Sequence, residues 1–160
     1  MPDATLTLLF TQRVGACDRI ISLLRRRGFP ISGITLERTH RPEIGRMTVA
    51  VTEPQAVAQV SRHLSRLPDV VEVMSADEDV VRREYALVRL RCSPEEQPEV
   101  LSLLSSFDAR VLSTNEEHLL VEAAGRSDEL DALFTELSLH GIEESARTSP
   151  ISMKLREEKR

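Results

Sequence analysis

Residue types that could carry out catalysis are scattered along this chain and do not form a motif. The four histidines lie far apart: His40, His63, His118 and His140. None of them stands in a recognisable pattern with a serine, a cysteine or an aspartate. Glutamates occur in adjacent pairs at 95–96, 116–117 and 143–144, but neighbouring side chains point in different directions on a helix or a strand. We therefore predict no catalytic residue, and we do not expect an enzyme.

The sequence also lacks the spacing of metal, disulfide and phosphate sites. Its two cysteines, Cys17 and Cys92, form no CxxC pair, which argues against a structural zinc site and a disulfide scaffold. The six glycines form no glycine-rich phosphate loop. We predict that the chain itself holds no metal ion and no cofactor.

Charge and apolar content narrow the function classes further. With 21 Lys and Arg against 26 Asp and Glu the net charge is −5, and aromatic residues make up only 3% of the chain. Both values argue against a general nucleic-acid binder. The N-terminal region has no apolar run long enough for a signal peptide or a membrane span, so we expect a cytoplasmic protein with no membrane and no nucleic-acid partner. The run Arg25–Arg27 could form an anion-binding or nucleic-acid patch, but a solvated helix end is the favoured interpretation.

Strand and helix periods alternate through the first half of the chain. The two-residue period of strands occurs four times: at 4–11, 30–39, 44–52 and 69–75. Helical spacing occurs at 14–28 and 54–66. The resulting βαββαβ order is that of a ferredoxin-like domain. Its antiparallel sheet would pack two helices on one face and leave the other face free for a partner.

The second half repeats this order. Strands are predicted at 84–92, 108–113, 117–123 and 142–148, with helices from Ser93 to about Ser105 and from Ser127 to Leu139. The charged tail, 153–160, is expected to be frayed. The predicted fold class is α+β, with two ferredoxin-like βαββαβ domains in tandem. We expect a first domain at 1–76, a linker at 77–83 and a second domain at 84–160.

The turn Thr11–Cys17, between the first predicted strand and helix, carries the most functional information. Gly15 there would let backbone N–H groups approach a ligand closely, and the helix N-terminus favours an anion such as an amino-acid carboxylate. The alternative is that Gly15 only eases the passage from strand to helix. The pattern alone favours neither interpretation.

A series of short motifs in this order resembles one known family. The motifs are Gly15-Ala16 with Arg19-Ile20, Arg27-Gly28-Phe29-x-Ile31, Ile34-Thr35, Arg46-Met47-Thr48-Val49, Leu67-x-Asp69-Val70, Arg83-Glu84 with Leu87-Val88, Gly125 with Leu130 and Leu133, and Ala146-Arg147-Thr148. They resemble the small regulatory subunit of acetolactate synthase, also called acetohydroxyacid synthase, whose first half is an ACT domain. The resemblance covers nearly the whole chain.

This resemblance implies a non-catalytic subunit that binds and activates the large catalytic subunit in branched-chain amino acid biosynthesis. Thiamine diphosphate, FAD and magnesium would belong to that large subunit. The ACT domains would form a homodimer, with a feedback effector, usually valine, at its interface near Gly15. The effector-binding residues that it implies are Gln12, Val14, Gly15, Ala16, Pro30 and Ile31.

Two of these residues depart from the family's pattern. The family usually has asparagine at the positions of Gln12 and Pro30, and both asparagines belong to the effector site. Gln12 keeps an amide on a longer side chain, whereas Pro30 offers neither a side-chain amide nor a backbone N–H. We therefore expect an intact fold with weak or absent valine feedback.

Two other functions remain open from the sequence. The first is a stand-alone tandem ACT protein, a small-molecule sensor that controls another enzyme or a transcription factor. The second is a small enzyme with a ferredoxin-like fold, which no polar constellation supports. Co-purification with a thiamine-dependent partner would separate the regulatory subunit from the stand-alone sensor.

Overall fold

The computed structural model describes residues 4–75 and 80–155. Its elements in chain order are β1 (Ala4–Thr11), α1 (Ala16–Arg26), β2 (Ile31–Arg38), β3 (Ile44–Val51), α2 (Val57–Leu64), β4 (Val70–Ser75), β5 (Val80–Arg91), α3 (Gln97–Ser106), β6 (Arg110–Thr114), β7 (His118–Gly125), α4 (Ser127–Leu137), β8 (Ile142–Arg147) and β9 (Ile151–Lys154). Short 3-10 turns at Pro54–Ala56 and Ser138–His140 adjoin α2 and α4. The chain divides into two compact units, the first formed by Met1–Val81 with Ser149–Arg160 and the second by Arg82–Thr148.

The first unit has one sheet with strand order β2-β3-β1-β4, in which every neighbouring pair is antiparallel. Alternation places one set of β1 and β3 side chains, such as Leu8 opposite Met47, on the face that packs against the helices. Helix α1 presents Ala16, Ile20 and Leu24, spaced four apart, to the same core. The core therefore lies between the sheet and the two helices.

The second unit repeats this arrangement with strand order β6-β7-β5-β8. Its core draws on the alternating residues of β5 and β7 and on the apolar stripes of both helices: Ala86, Val88, Leu90, Leu119, Val121, Val100, Leu104, Leu130, Leu133 and Leu137. The predicted fold class, two ferredoxin-like units in tandem, is confirmed. Among the described residues no helix is long and apolar enough to cross a membrane.

The division of the chain differs from the predicted domains in two places. Residues 80–83, predicted as part of a linker, lie in β5, and the rest of that linker, 77–79, lies outside the described residues. The C-terminal segment from Ser149 belongs to the first unit and not to the second. Residues 151–154 form β9, which pairs with β5, so the prediction of a frayed tail is wrong for 153–154; residues 156–160 lie outside the described part of the chain.

The C-terminal segment also covers the sheet face that the sequence predicted to be free. The Ser149 Oγ atom occupies the space where a Cβ on Gly33 would stand, and the Thr35 hydroxyl donates to the Ser149 carbonyl at 3.2 Å. The hydroxyls of Thr7 and Ser152 lie 2.7 Å apart, and both side chains are buried. Buried hydroxyl groups need hydrogen-bond partners, and the Thr7 and Ser152 hydroxyls are partners of each other. The prediction of a free face is therefore wrong: polar side chains on that face receive a returning strand.

Candidate functional site

Gly15 stands at the start of α1 in the left-handed backbone conformation, with φ 80° and ψ −1°. Residues with a Cβ adopt this conformation at a cost, whereas glycine adopts it freely. A Cβ at Gly15 would also lie 2.9 Å from the Arg19 Nη1 atom. The backbone thus favours glycine at this position, and a Cβ there would displace the end of the Arg19 side chain.

Asp69 fixes the loop that contains Gly15. The Arg19 Nε atom donates to the Asp69 carboxylate at 2.6 Å, and the Thr11 backbone N–H donates to the Asp69 carbonyl at 2.8 Å. The hydrogen bond from Arg19 holds the pKa of Asp69 below its usual value. One residue at the start of β4 therefore anchors both ends of the β1–α1 loop.

The N-terminus of α1 is left open because Gly15 has no side chain to cap it. The Ala16 N–H donates to the Arg13 carbonyl at 3.0 Å, and none of the described side chains caps this helix. Cys17 and Asp18 follow in the first turn, where backbone N–H groups have no carbonyl partner within the helix. This end of α1 offers donors and a positive dipole end to an anion.

The equivalent helix of the second unit differs in this respect. The Gln97 N–H already donates to the Ser93 carbonyl at 3.1 Å, and Pro98, the next residue of α3, has no N–H. The Glu96 carboxylate accepts the Ser93 N–H and hydroxyl at 2.9 and 2.8 Å, and these bonds lower its pKa. A negative charge and fewer free donors make this turn a poor site for a carboxylate.

An open cleft of ≈ 440 Å³ lies beside the loop of the first unit. Gln12 and Val14 line it from the loop, and the end of β2 contributes Leu36, Glu37 and Arg38. The volume falls within the usual range of small-molecule pockets. A guanidinium group beside apolar side chains suits a carboxylate that carries a hydrocarbon side chain.

Glu37 points to the opposite face of the sheet from Leu36 and Arg38, because side chains alternate along a strand, and its carboxylate belongs to a chain of hydrogen bonds on that face. Thr48 donates its hydroxyl to Glu37 at 2.7 Å, and the Arg46 Nε atom lies 2.9 Å from the other Glu37 oxygen. Burial is the main cause that raises the pKa of Glu37. Thr48 also lies 3.3 Å from the Thr7 hydroxyl, which in turn contacts Ser152. The Glu37 carboxylate is thus linked to the C-terminal segment, on the face of the sheet opposite the cleft.

The six residues implied as an effector site fall into two groups. Gln12, Val14 and Gly15 lie in the loop, whereas the Ala16 side chain is 1% exposed and packs in the core. Pro30 and Ile31 lie at the other end of the sheet, because Ile31 pairs with Val51 while the loop follows the end of β1 that pairs with Ile44. Seven residue steps along a strand separate these ends by about 24 Å. One chain alone does not bring the two groups together.

Sequence reasoning missed the residues that complete the cleft. Arg13, Leu36, Glu37 and Arg38 line it, but only the register of β2 against β3 brings the end of β2 beside the loop. The alternation in β2 could have shown which side chains face the helices, not that its end meets Gln12. Among residues 4–75 and 80–155, no group of three or more His, Cys, Asp or Glu side chains is placed to hold a metal ion.

Comparison with known families identifies the family of this chain. Residues 6–72 match the family model described as an AHAS small subunit-like ACT domain, and residues 83–156 match the model described as the small subunit of acetolactate synthase. The chain belongs to the acetolactate synthase small-subunit family. The predicted family and the predicted role of a non-catalytic regulatory subunit are confirmed.

Individual relatives agree with this assignment over nearly the full chain. The acetolactate synthase small subunit of Mycolicibacterium smegmatis is 31% identical over 154 residues, covering 95% of this chain and 91% of the relative. The Bacillus subtilis acetolactate synthase small subunit is 30% identical and covers 89% of this chain and 85% of the relative. The crystal structure of the acetolactate synthase small subunit from Thermotoga maritima superposes with a TM-score of 0.88 at 26% identity, over 98% of this chain and 99% of that one.

Proposed function

We propose that this small subunit binds the catalytic large subunit of acetolactate synthase and raises its activity, with weakened feedback by valine. The observation that carries the proposal is the open N-terminus of α1 beside a cleft with a guanidinium group and apolar side chains, in a chain of this family. Thiamine diphosphate, FAD and magnesium then reside on the large subunit, and the complex works in the cytoplasm in branched-chain amino acid biosynthesis.

We infer a homodimer through the first unit, in which the free edge of β2 pairs with the β2 edge of a second copy. Strand β2 stands at the end of the sheet order, so one side of its backbone has no neighbour in that sheet. A two-fold axis between Ile34 and Thr35 would oppose Ile31 of one protomer to Arg38 of the other. This pairing would bring Pro30 and Ile31 of one protomer to the cleft and loop of the second.

The effector would lie where these two groups meet, twice per dimer. The helix N-terminus after Gly15 and the guanidinium of Arg38 would take the carboxylate, while Val14 and Leu36 would contact the side chain. Pro30 has no N–H, and its carbonyl already accepts the Thr52 N–H at 2.9 Å. Each missing charge-assisted hydrogen bond costs roughly 1.5–3 kcal/mol, or about ten- to a hundredfold in affinity. We therefore propose that valine binds weakly.

Calorimetry tests this account of the effector. The double variant Gln12→Asn/Pro30→Asn should bind valine at least tenfold more tightly than the wild type, since both amides of the family pattern return. Thermal unfolding of both proteins controls for a change in stability. Micromolar valine binding by the wild type would contradict the proposal of a weakened site, and equal affinities would contradict the role given to Pro30.

A further inference from the structure

The helical layer of the first unit is basic although the chain as a whole is acidic. Segments 12–28 and 54–68, which contain α1 and α2, hold seven arginines and a single carboxylate, Asp18. The full chain has a net charge of −5. These two segments therefore carry a net positive charge, whereas the rest of the chain is net negative.

Five of these arginines form what we call the basic helix surface: Arg25, Arg26, Arg27, Arg62 and Arg66. All five are exposed, and in the described part of the chain none of them forms an ion pair. The Arg26 Nε atom donates to the Ser22 carbonyl at 3.3 Å, within the helix itself. Arginines elsewhere, such as Arg46 and Arg147, are paired with carboxylates. These five guanidinium groups keep their charge available to a partner.

An aromatic contact lies among these cations. The rings of Phe29 and His63 lie 5.8 Å apart between their centroids. Burial, followed by the positive fields of Arg27, Arg66 and Arg62, lowers the pKa of His63, so three cations stand close to a largely neutral ring. Arginine around aromatic side chains is the composition of protein–protein interfaces.

Two other occupants of this surface, a second copy of the chain and nucleic acid, are disfavoured. A two-fold contact between helical layers would set arginine against arginine, so a second copy is repelled there. Nucleic acid would meet a chain of net charge −5 with 3% aromatic residues, which offers few stacking platforms. The opposite face of the sheet is covered by Ser152 and its neighbours, so the helical layer is the broad face that the first unit leaves open.

We propose that the basic helix surface binds an acidic surface of the catalytic large subunit. This inference rests on the proposed function, because it assigns a contact surface to that partner. Charge complementarity would steer the encounter, so binding should be fast and sensitive to salt.

Binding to the large subunit tests this surface with two variants and a matched control. The variants R25Q/R26Q/R27Q and R62Q/R66Q remove charges from the basic helix surface. The control R41Q/R83Q/R91Q removes three charges from exposed arginines elsewhere. Surface changes of this kind leave stability nearly unchanged. Thermal unfolding confirms that each variant folds.

Each variant should raise the Kd for the large subunit about tenfold or more at low salt, while the control stays within about threefold of the wild type. Added salt should weaken the wild type more than the variants. If the wild type binds and the variants bind with unchanged Kd values, the assignment of this surface is wrong, whereas the proposed function stands. A wild type that neither binds nor activates the large subunit would overturn the proposed function and this surface with it. If the variants lose the dimer at unchanged Kd, the surface binds a second copy and the proposal is overturned. If the wild type binds DNA tightly, the surface binds nucleic acid and the proposal is likewise overturned.

Discussion

The substitution Gly15→Ala tests whether the loop geometry is held as described. Alanine in the left-handed conformation costs about 1–2 kcal/mol. The new Cβ would also lie 2.9 Å from Arg19 Nη1, at the end of a flexible side chain. That guanidinium would move and weaken its 2.6 Å hydrogen bond to Asp69. Gly15→Ala should therefore be destabilised both by the backbone cost and by the weaker hydrogen bond between Arg19 and Asp69, which anchors the loop.

Gly28→Ala is the matched control for this substitution. Gly28 has φ 62°, so alanine there carries a similar backbone cost, but a Cβ would meet nothing within 4 Å. Urea unfolding followed by circular dichroism should show a free energy of unfolding lower by about 1–2 kcal/mol for Gly28→Ala and a larger loss for Gly15→Ala. The excess should disappear in an Asp69→Asn background. Equal losses for the two glycines, or an excess that persists without Asp69, would refute the reasoning.

Three further predictions concern the C-terminal segment, the loop anchor and the β2 edge. Thr7→Val should lower the free energy of unfolding by about 1–3 kcal/mol, since it leaves the buried Ser152 hydroxyl without its partner. Ser152→Ala should lower it by less, since the Thr7 hydroxyl keeps the Thr48 hydroxyl at 3.3 Å, and the double variant should lose less than the sum of the two; additive losses would contradict the contact. The lowered pKa of Asp69 means that its bond to Arg19 stabilises the fold above the usual carboxyl pKa of 3.8 and is lost as the pH falls through the lower folded value. The stability gap between wild type and Asp69→Asn, measured by urea unfolding from pH 7 to pH 3, should thus narrow below about pH 4, and a constant gap would contradict it. In sedimentation, Leu36→Lys should dissociate the dimer, while Val71→Lys on the opposite edge strand should not. The reverse result would place the interface at β4 and contradict the proposed β2 pairing.

The repeated order of strands and helices could be predicted from the sequence because each element carries its own period. The sequence predicts a helix at 14–28, and α1 occupies Ala16–Arg26 with Ala16, Ile20 and Leu24 in the core. Strand β1 has the predicted bounds of 4–11. These elements bury one face against their neighbours, and this requirement leaves a pattern in the sequence.

Strand β9 could not be predicted in this way. It has four residues, and its place is set by partners far away in sequence, such as Thr7 and Gly33, which meet Ser152 and Ser149. The polar face of β1 predicts exposure to solvent, because the segment that covers it lies more than a hundred residues away in the sequence. The frayed tail and the free sheet face were both wrong for this reason.

The candidate site could be predicted only in its local part. The turn around Gly15 is recognisable from a glycine at a helix start. Leu36 and Arg38 join it through the register of β2 with β3, which no local pattern encodes. Pro30 and Ile31 lie at the far end of the sheet and reach the cleft only in the dimer that we propose.

Activation of the catalytic large subunit is the most direct test of the central claim. Acetolactate formation by the purified large subunit should rise in a saturable manner as the full chain is added, and the chain alone should form none. Valine at concentrations that inhibit related holoenzymes should reduce this stimulated rate little or not at all. A rate that stays at the level of the large subunit alone, at chain concentrations well above those of the enzyme, would contradict the regulatory role.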